Sequence, residues 1–180
     1  MNTYIALLRG INVSGYNMIK MDSLKQLLES LNFTHVSTYL QSGNIVFKSD
    51  VSDEIVLCGL IETAIEEKLE LKVPVIIRSA SLLKSISENN PFLLEQDIDI
   101  TKLHVTFLSK DYDHEGIGKI NKIAFTPDRY ILQGNEVFIY CPGGYGNTKL
   151  NNSLFENKLK VISTTRNWNT INALVRLSEM

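Results

Sequence analysis

Residues 39–47 read Tyr-Leu-Gln-Ser-Gly-Asn-Ile-Val-Phe, and residues 130–140 read Tyr-Ile-Leu-Gln-Gly-Asn-Glu-Val-Phe-Ile-Tyr. In both stretches a Gly-Asn pair separates two short runs of β-prone residues. Glycine and asparagine tolerate the positive φ that tight two-residue turns need, so each stretch predicts a β-hairpin. The two copies differ by one inserted serine and lie roughly 90 residues apart, which predicts two related halves in one chain.

The sequence around the first hairpin predicts a complete α/β unit. Residues 3–13 read as a buried opening strand, and the apolar side chains that follow recur at i, i+3, i+4 and i+7, the stripe of one helix face: Leu24, Leu27, Leu28 and Leu31. After the hairpin come a second helix near 52–70 and a strand at 73–77. The order β-α-β-β-α-β is the ferredoxin-like arrangement.

The sequence around the second hairpin repeats most of this order. Residues 103–108 alternate as a strand, residues 113–124 have a weak helical pattern, and helices are predicted at 149–160 and 167–178. This half ends in a helix where a strand is due. We therefore expect an α+β fold of two related ferredoxin-like units with antiparallel sheets. The predicted boundaries are an N-terminal unit at 1–88, a connection at 89–101 and a C-terminal unit at 102–180.

Composition excludes several classes of protein. The 180 residues contain 18 Lys+Arg against 20 Asp+Glu, a net charge of −2, which argues against bulk binding of nucleic-acid phosphates. Two cysteines cannot form a disulfide framework. The three histidines have no ligand spacing, so we expect no metal, and no motif indicates a cofactor. Without a signal pattern or a long apolar run, we expect a cytoplasmic protein with no membrane segment.

Two groups of polar residues in the first half are candidates for binding an anion. Arg9 and Asn12 follow the opening apolar run, where an arginine fork could hold an anion at the end of the sheet and Asn12 could orient it. Gln41, Ser42 and Asn44 belong to the hairpin turn, and their side chains could line a cleft. The structural alternative is that Arg9 pairs with an acid, while the other residues serve turn geometry.

Two further groups lie in the second half. Thr148 and Lys149 follow a glycine-rich loop that leads into a predicted helix, where free amides suit an anion, although the sequence favours the structural alternative of a flexible connection with Thr148 as N-cap. Arg166 is predicted at the start of the last helix, with Thr165 or Asn167 as its N-cap. Trp168 fits a core anchor better than a ligand-stacking residue. No catalytic motif is present, and Cys141 reads as a buried, inert thiol rather than a nucleophile.

The same segments resemble the bacterial family of unknown function labelled DUF1697. The motifs that carry the resemblance are Leu-Arg-Gly-Ile-Asn-Val at 8–13, the stretch 38–47, Asn-Pro-Phe at 90–92, and Thr-Arg-Asn-Trp-Asn-Thr at 165–170. This chain has Ser14-Gly15 where the family usually has Gly-Gly, and Thr148 where it usually has serine. The resemblance implies an α+β fold built on ferredoxin-like units, and it supplies no reaction, substrate or catalytic residue.

The sequence favours binding of a small anionic molecule in a cleft lined by arginine, asparagine and hydroxyl side chains. It names no reaction and favours no oligomeric state. One alternative is single-stranded nucleic-acid binding by stacking bases on an exposed sheet through Tyr4, Tyr39 and Phe47. The other is a protein-interaction module without catalytic activity. We expect Arg9 and Arg166 to converge on one ligand if the two halves pack face to face.

Overall fold

The computed structural model describes residues 1–112 and 114–180. By its internal contacts the chain forms two compact units: residues 1–87 together with 172–180 (unit 1), and residues 88–171 (unit 2). The sequence boundaries of 1–88, 89–101 and 102–180 do not assign the C-terminal residues to the first unit. None of the described helices is long and apolar enough to cross a lipid bilayer.

Unit 1 has the order β-α-β-β-α-β and then a further helix. Its elements are β1 (Asn2–Leu8), α1 (Met21–Ser30), β2 (Thr34–Tyr39), β3 (Asn44–Ser49), α2 (Glu54–Leu69), β4 (Val75–Ser79) and α3 (Ala80–Glu88). The strand order is β2-β3-β1-β4, and every neighbouring pair is antiparallel. The C-terminal residues of the chain pack on α3, where Ser87 Oγ donates to Asn172 Oδ1 at 2.7 Å.

Unit 2 repeats the order. Its elements are β5 (Leu103–Leu108), α4 (His114–Asn121), β6 (Arg129–Gln133), β7 (Glu136–Tyr140), α5 (Asn152–Leu159) and β8 (Ser163–Asn167), with short 3-10 helices at Pro91–Leu94, Ile100–Lys102 and Tyr145–Asn147. The last helix, α6 (Trp168–Ser178), begins in unit 2, and its residues from Asn172 onward belong to unit 1. The strand order is β6-β7-β5-β8, again antiparallel throughout. The predicted fold class, two related ferredoxin-like units with antiparallel sheets, is confirmed. Asp113, in the helix predicted at 113–124, lies outside the described residues.

The strand missing from the prediction is β8, because the sequence placed Thr165–Asn167 at the cap of a helix. Its residues Ser-Thr-Thr-Arg-Asn contain no apolar side chain, so the alternation that reveals a half-buried strand is absent. Ser163 and Thr164 are nevertheless buried. The strand is therefore stabilised by its backbone ladder with β5 and by polar contacts, which hydropathy does not report.

Each unit has a core between its sheet and its first two helices. In unit 1 the α1 stripe of Leu24, Leu27 and Leu28 packs with Phe47 and with residues of α2 such as Ile61. In unit 2 the corresponding core contains residues of β5, β7, α4 and α5, among them Leu108, Ile139, Ile120 and Phe155. The helical phase predicted for α1 is therefore the observed one.

The two hairpins turn differently, although both contain Gly-Asn. In unit 2, Gln133 pairs with Glu136, so Gly134 and Asn135 form the predicted two-residue turn. In unit 1, Tyr39 pairs with Asn44, so the loop has four residues, 40–43, and Asn44 already belongs to β3. The Leu8 amide donates to Gly43 O at 2.8 Å and the Leu108 amide to Asn135 O at 2.9 Å, so Gly43 and Asn135 are structurally equivalent. The sequence match is thus offset by one residue from the structural one.

Gly43 occupies a position that no side chain fits. Its φ is +75°, and a Cβ there would lie 2.7 Å from Leu8 Cβ and 2.7 Å from Ile11 Cδ1. Gly134, in the other hairpin, has φ +57°, and its Cβ would meet only Glu136 Oε2 at 3.6 Å. The two glycines share a positive φ but differ in the space around them.

We expect Gly43→Ala to lower the free energy of unfolding by about 2–5 kcal/mol, because left-handed strain and overpacking add. Gly134→Ala is the matched control and should cost only the strain, about 1–2 kcal/mol. Urea unfolding of both variants measures the difference. Equal losses would contradict the close approach of Gly43 to Leu8 and Ile11.

Candidate functional site

Five of the nine candidate residues lie at one end of the unit 1 sheet. The Arg9 amide donates to Pro74 O at 2.9 Å, so the chain leaves β1 beside the start of β4. Asn12 reaches the hairpin loop, where its Nδ2 donates to Gln41 O at 2.8 Å. Ser42 and Asn44 belong to the same loop and strand start. The structure therefore brings together Arg9, Asn12, Gln41, Ser42 and Asn44.

Asn12 holds this end of the sheet together. Its Nδ2 also donates to Ile19 O at 3.0 Å, and its Oδ1 accepts a hydrogen bond from the Ile19 amide at 2.8 Å. With the bond to Gln41 O, these contacts use both N–H groups of the side chain and its carbonyl oxygen. Asn12 thereby closes the segment of residues 9–19 (the 9–19 loop) and ties it to the hairpin loop.

The backbone of the 9–19 loop repeatedly adopts positive φ, at Gly10, Asn12, Ser14, Gly15 and Asn17. Alternation of left-handed with right-handed residues directs successive N–H groups to one side of a chain, the arrangement of anion-binding nests. Across the described residues, the amides of Gly10, Ile11, Ser14 and Gly15 have no hydrogen-bond acceptor. The loop therefore offers N–H donors, and its one charged residue is Arg9, with Lys20 directly after it.

The hairpin residues divide into structural and exposed ones. Asn44 is fully buried, and its Nδ2 donates to Tyr39 O at 2.8 Å and to Ser42 Oγ at 3.0 Å, so it shapes the turn. Gln41 and Ser42 are exposed. Of the three hairpin candidates, Gln41 and Ser42 are therefore the ones that a ligand in solution could meet.

Thr148 does not cap a helix and Lys149 does not begin one, contrary to the sequence prediction. Helix α5 begins at Asn152, and the N-cap is Asn151, whose Oδ1 accepts from the Leu154 amide at 3.0 Å. Thr148 is buried, donates to Asp128 Oδ2 at 2.6 Å and accepts from the Leu150 amide at 3.0 Å. These bonds hold the chain in a non-helical turn, which delays the helix by three residues. Lys149 is exposed.

Arg166 lies inside β8 rather than at a helix start. It is 6% exposed, and its Nη1 donates to Thr164 Oγ1 at 2.7 Å and to Thr165 O at 2.9 Å. Of the two predicted N-caps, Thr165 and Asn167, the structure has Asn167, whose Oδ1 accepts from the Thr170 amide at 2.8 Å. Side chains alternate along a strand, so Arg166 lies on the face opposite Thr165 and the helix-packed core. Sharing of one ligand by Arg9 and Arg166 stays a prediction.

Arg78, which the sequence reading missed, is the structural equivalent of Arg166. Arg78 pairs with Ile5 in unit 1 as Arg166 pairs with Val105 in unit 2, and both arginines are 6% exposed. Each donates Nη1 to the carbonyl oxygen of the preceding residue, at 2.8 Å to Ile77 and 2.9 Å to Thr165. No motif marks this pair, and only the registers of β4 and β8 reveal it.

A glutamate completes the same arrangement in each unit. Glu62 Oε1, on α2, accepts from the Val75 amide at 2.8 Å. Glu156 Oε1, on α5, accepts from the Ser163 amide at 3.0 Å. Val75 and Ser163 open the equivalent outer strands β4 and β8. Glutamate and arginine thus cap the open edge of the last strand in both units.

A hydroxyl network links the loop before α5 to β5 and β8 in unit 2. Thr165 Oγ1 donates to Asn152 Oδ1 at 2.8 Å and accepts from Tyr145 OH at 2.9 Å. Having one proton, it must also accept from Thr106 Oγ1 at 2.7 Å. Tyr145 stacks on His104, with ring centroids 4.7 Å apart. The Thr165 hydroxyl is thereby saturated, which gives this network a structural role.

His104 keeps a fixed tautomer beside that network. Its Nδ1 lies 3.2 Å from Lys102 O, and because a carbonyl oxygen only accepts, Nδ1 carries the proton. Burial lowers the pKa of His104, and the neighbouring charge of Lys102 lowers it further, although the hydrogen bond to Lys102 O opposes both. His104 is therefore a neutral ring near pH 7 with its acceptor at Nε2.

Several aromatic residues are core residues. Tyr4 and Phe47 are 3% and 0% exposed and belong to the helix-facing core of unit 1. Two of the three aromatic residues on which base stacking would depend are thus unavailable to a ligand. Trp168 is 4% exposed, as expected of a core anchor.

The comparisons with known proteins give one family and one fold. The family model described as protein of unknown function (DUF1697) matches residues 1–138. The structure of conserved bacterial protein SP0830 from Streptococcus pneumoniae is similar, with 22% identity, a TM-score of 0.78 and 98% of each chain covered. At this identity the similarity shows the fold. A comparison with curated protein sequences gives no match.

Replacement of Arg166 by alanine should lower the free energy of unfolding by about 1–3 kcal/mol, because Thr165 O and Thr164 Oγ1 lose a buried charged donor. The control is Arg176→Ala on an exposed face of α6, which should change stability by less than about 0.5 kcal/mol. Urea unfolding of the two variants gives the comparison. A loss no larger for Arg166 than for Arg176 would refute the edge-capping role.

The Cys141 thiol should react slowly. Burial raises the pKa of Cys141 to about 11, and its side chain is 0% exposed. In a Cys58→Ser variant, where Cys141 is the remaining thiol, Ellman's reagent at neutral pH should react far faster after unfolding in guanidinium than before, because the thiolate is the reactive form. Rapid reaction of the folded protein would show an activated cysteine instead.

Proposed function

The chain belongs to the DUF1697 family of proteins of unknown function, and from this premise we propose that it binds a small anionic ligand at the 9–19 loop. The observation that carries the proposal is the set of backbone amides at Gly10, Ile11, Ser14 and Gly15, which have no acceptor among the described residues. Backbone N–H groups are strong donors, and a ligand that accepts from several of them at once is an anion.

The loop is held in shape before any ligand arrives. The side chain of Asn12 donates to Ile19 O and accepts from the Ile19 amide, and Asn17 Nδ2 donates to Gly10 O at 3.0 Å. A pre-shaped loop loses little conformational entropy on binding. This supports a binding role over that of a connection that merely spans two elements.

The charge of the loop favours an anion. Residues 9–20 include Arg9 and Lys20 and no acidic residue. Arg9, half-buried at the root of the loop, adds a planar cation that matches carboxylate or phosphate oxygens, while the exposed Gln41 and Ser42 side chains offer directional contacts. In this proposal Arg9 and the amides bind the anion, Gln41 and Ser42 orient it, and Asn12 positions the loop.

Binding is tested by thermal shift and then by calorimetry. Inorganic phosphate, sulfate and a panel of carboxylate and phosphate metabolites are screened, because a specific ligand raises the melting temperature by mass action. For the best compound we expect Arg9→Lys to weaken binding about tenfold, the effect of losing about 1.4 kcal/mol of bidentate contact while the charge is kept.

The control is Lys25→Gln, which removes an exposed charge from α1 in the same unit and should leave the affinity unchanged. Asn12→Ala should weaken binding with Arg9 intact, because the loop loses its tie to Gln41 O. If the affinity of Arg9→Lys and of Asn12→Ala equals that of the unmodified protein, the 9–19 loop is not the site.

A further inference from the structure

Two four-stranded sheets have four edge strands: β2 and β4 in unit 1, β6 and β8 in unit 2. An edge strand presents N–H and C=O groups without a ladder partner, which makes it a template for another chain. Proteins usually protect such edges with bulges, charges or side-chain caps. How each of the four edges is treated therefore indicates which of them is available.

Three of the edges are interrupted or capped. In β4 and β8 an outward amide and an outward carbonyl of each strand meet side chains: Glu62 and Arg78 in unit 1, Glu156 and Arg166 in unit 2. In β2 a register shift lies between Thr34 and Ser37, and His35 between them has φ +53°. Such a bulge breaks the regular spacing that an added strand would need.

Strand β6 is regular and uncapped. Its register with β7 runs without a shift from Arg129 to Gln133. Because Gln133 and Glu136 close a two-residue turn, they form a hydrogen-bonded pair. Such pairs alternate along the ladder, so Ile131 with Phe138 and Arg129 with Tyr140 are hydrogen-bonded pairs too. The N–H and C=O groups of Tyr130 and Leu132 therefore point away from β7. Across the described residues these four groups have no partner.

A cleft of about 440 Å³ borders this strand (the β6 cleft). Its apolar lining includes Ile123, Ala124 and Phe125 from the segment before β6, and Ile131 from the strand itself. Phe92 lines it from the 3-10 helix at Pro91–Leu94. The free backbone edge and the apolar cleft are thus adjacent, as a bound strand with one apolar side chain requires.

The charges of the cleft favour a basic partner. Arg129 is neutralised by Glu95 through two bonds, 3.1 Å from Nη1 to Oε1 and 2.8 Å from Nη2 to Oε2. Its guanidinium is also fixed over the rings of Phe92 and Tyr140, at 5.2 and 5.3 Å from their centroids. Asp128 remains as the unbalanced charge in the lining, with its Oδ2 accepting from Thr148.

We propose that β6 binds an extended peptide of a partner protein, which adds a fifth strand to the unit 2 sheet. Two residues of the peptide, i and i+2, bond to the N–H and C=O groups of Tyr130 and Leu132. An apolar side chain of the peptide enters the β6 cleft, and a lysine or arginine faces Asp128. This site lies in unit 2 and is independent of the anion site proposed for the 9–19 loop.

The proposal is tested with a positional-scanning library of acetylated octapeptides and the full-length protein. We expect the binding members to combine an apolar residue with a lysine or arginine. The decisive variant is Leu132→Pro, which deletes an outward N–H and leaves the β7 ladder intact, as proline does on an edge strand. Leu132→Ala is its control, because it removes the same side chain and keeps the N–H.

For the best peptide, binding should be about tenfold or more weaker to Leu132→Pro than to Leu132→Ala, since strand addition is blocked at its centre. Asp128→Asn, which keeps the acceptor for Thr148, should weaken binding of the basic peptide and not of its norleucine analogue. If Leu132→Pro does not fold, N-methylation of peptide amides replaces it: loss of binding at alternate positions supports strand addition, and unchanged binding refutes it.

Three results would overturn the proposal. The first is a library in which no peptide binds the unmodified protein. The second is equal affinity of folded Leu132→Pro and Leu132→Ala. The third is a dimer in sedimentation velocity that Leu132→Pro dissociates, because β6 would then be occupied by a second copy of this chain.

Discussion

The hydrogen-bonding of the last strand in each unit is the constraint on which the two sheets depend. Strands β4 and β8 are outer strands, and most of their residues are buried, so outward backbone groups there need partners within the protein. Arg78 and Arg166 supply donors for carbonyl oxygens, and Glu62 and Glu156 supply acceptors for amides. For one amide and one carbonyl of each strand, side chains thus take the place of a fifth strand, and the same solution occurs twice in one chain.

This repetition changes the meaning of Arg166. In the sequence, Arg166 is predicted at a helix start, where a cation is unfavourable unless an anion binds nearby. In the structure, one guanidinium nitrogen is committed to the strand that carries it, and Arg78 makes the same bond in a segment that no motif singled out. A residue whose role recurs at the equivalent place of both units is explained by the fold they share. Arg9 has no such counterpart, because Leu108 is followed by Ser109 in unit 2.

The parts of the fold that hydrophobicity determines were predictable. The α1 stripe, the β-α-β-β-α order of both halves and the burial of Trp168 all follow from apolar spacing. Strand β8 was not predictable, since its stability comes from polar side chains and register. The sequence also predicted the wrong turn at Gly43, for a related reason. The φ preferences of Gly-Asn are compatible both with a two-residue turn and with the end of a four-residue loop. Pairing with β1, a tertiary contact, decides between them.

The candidate site follows the same division. That Arg9, Asn12 and the hairpin residues would lie together required only that a strand end and a hairpin meet at one end of a sheet. The role of Asn12 could not be read from its identity, because the same side chain can face a ligand or the backbone, and here its three hydrogen bonds go to the backbone. Thr148 fits a helix N-cap in the sequence, but in the structure its hydroxyl donates to Asp128, which is distant in sequence. The hydrogen bonds of a polar loop side chain are thus set by the tertiary structure around it, by backbone groups for Asn12 and by a distant carboxylate for Thr148, and neither partner can be read from the residue type alone.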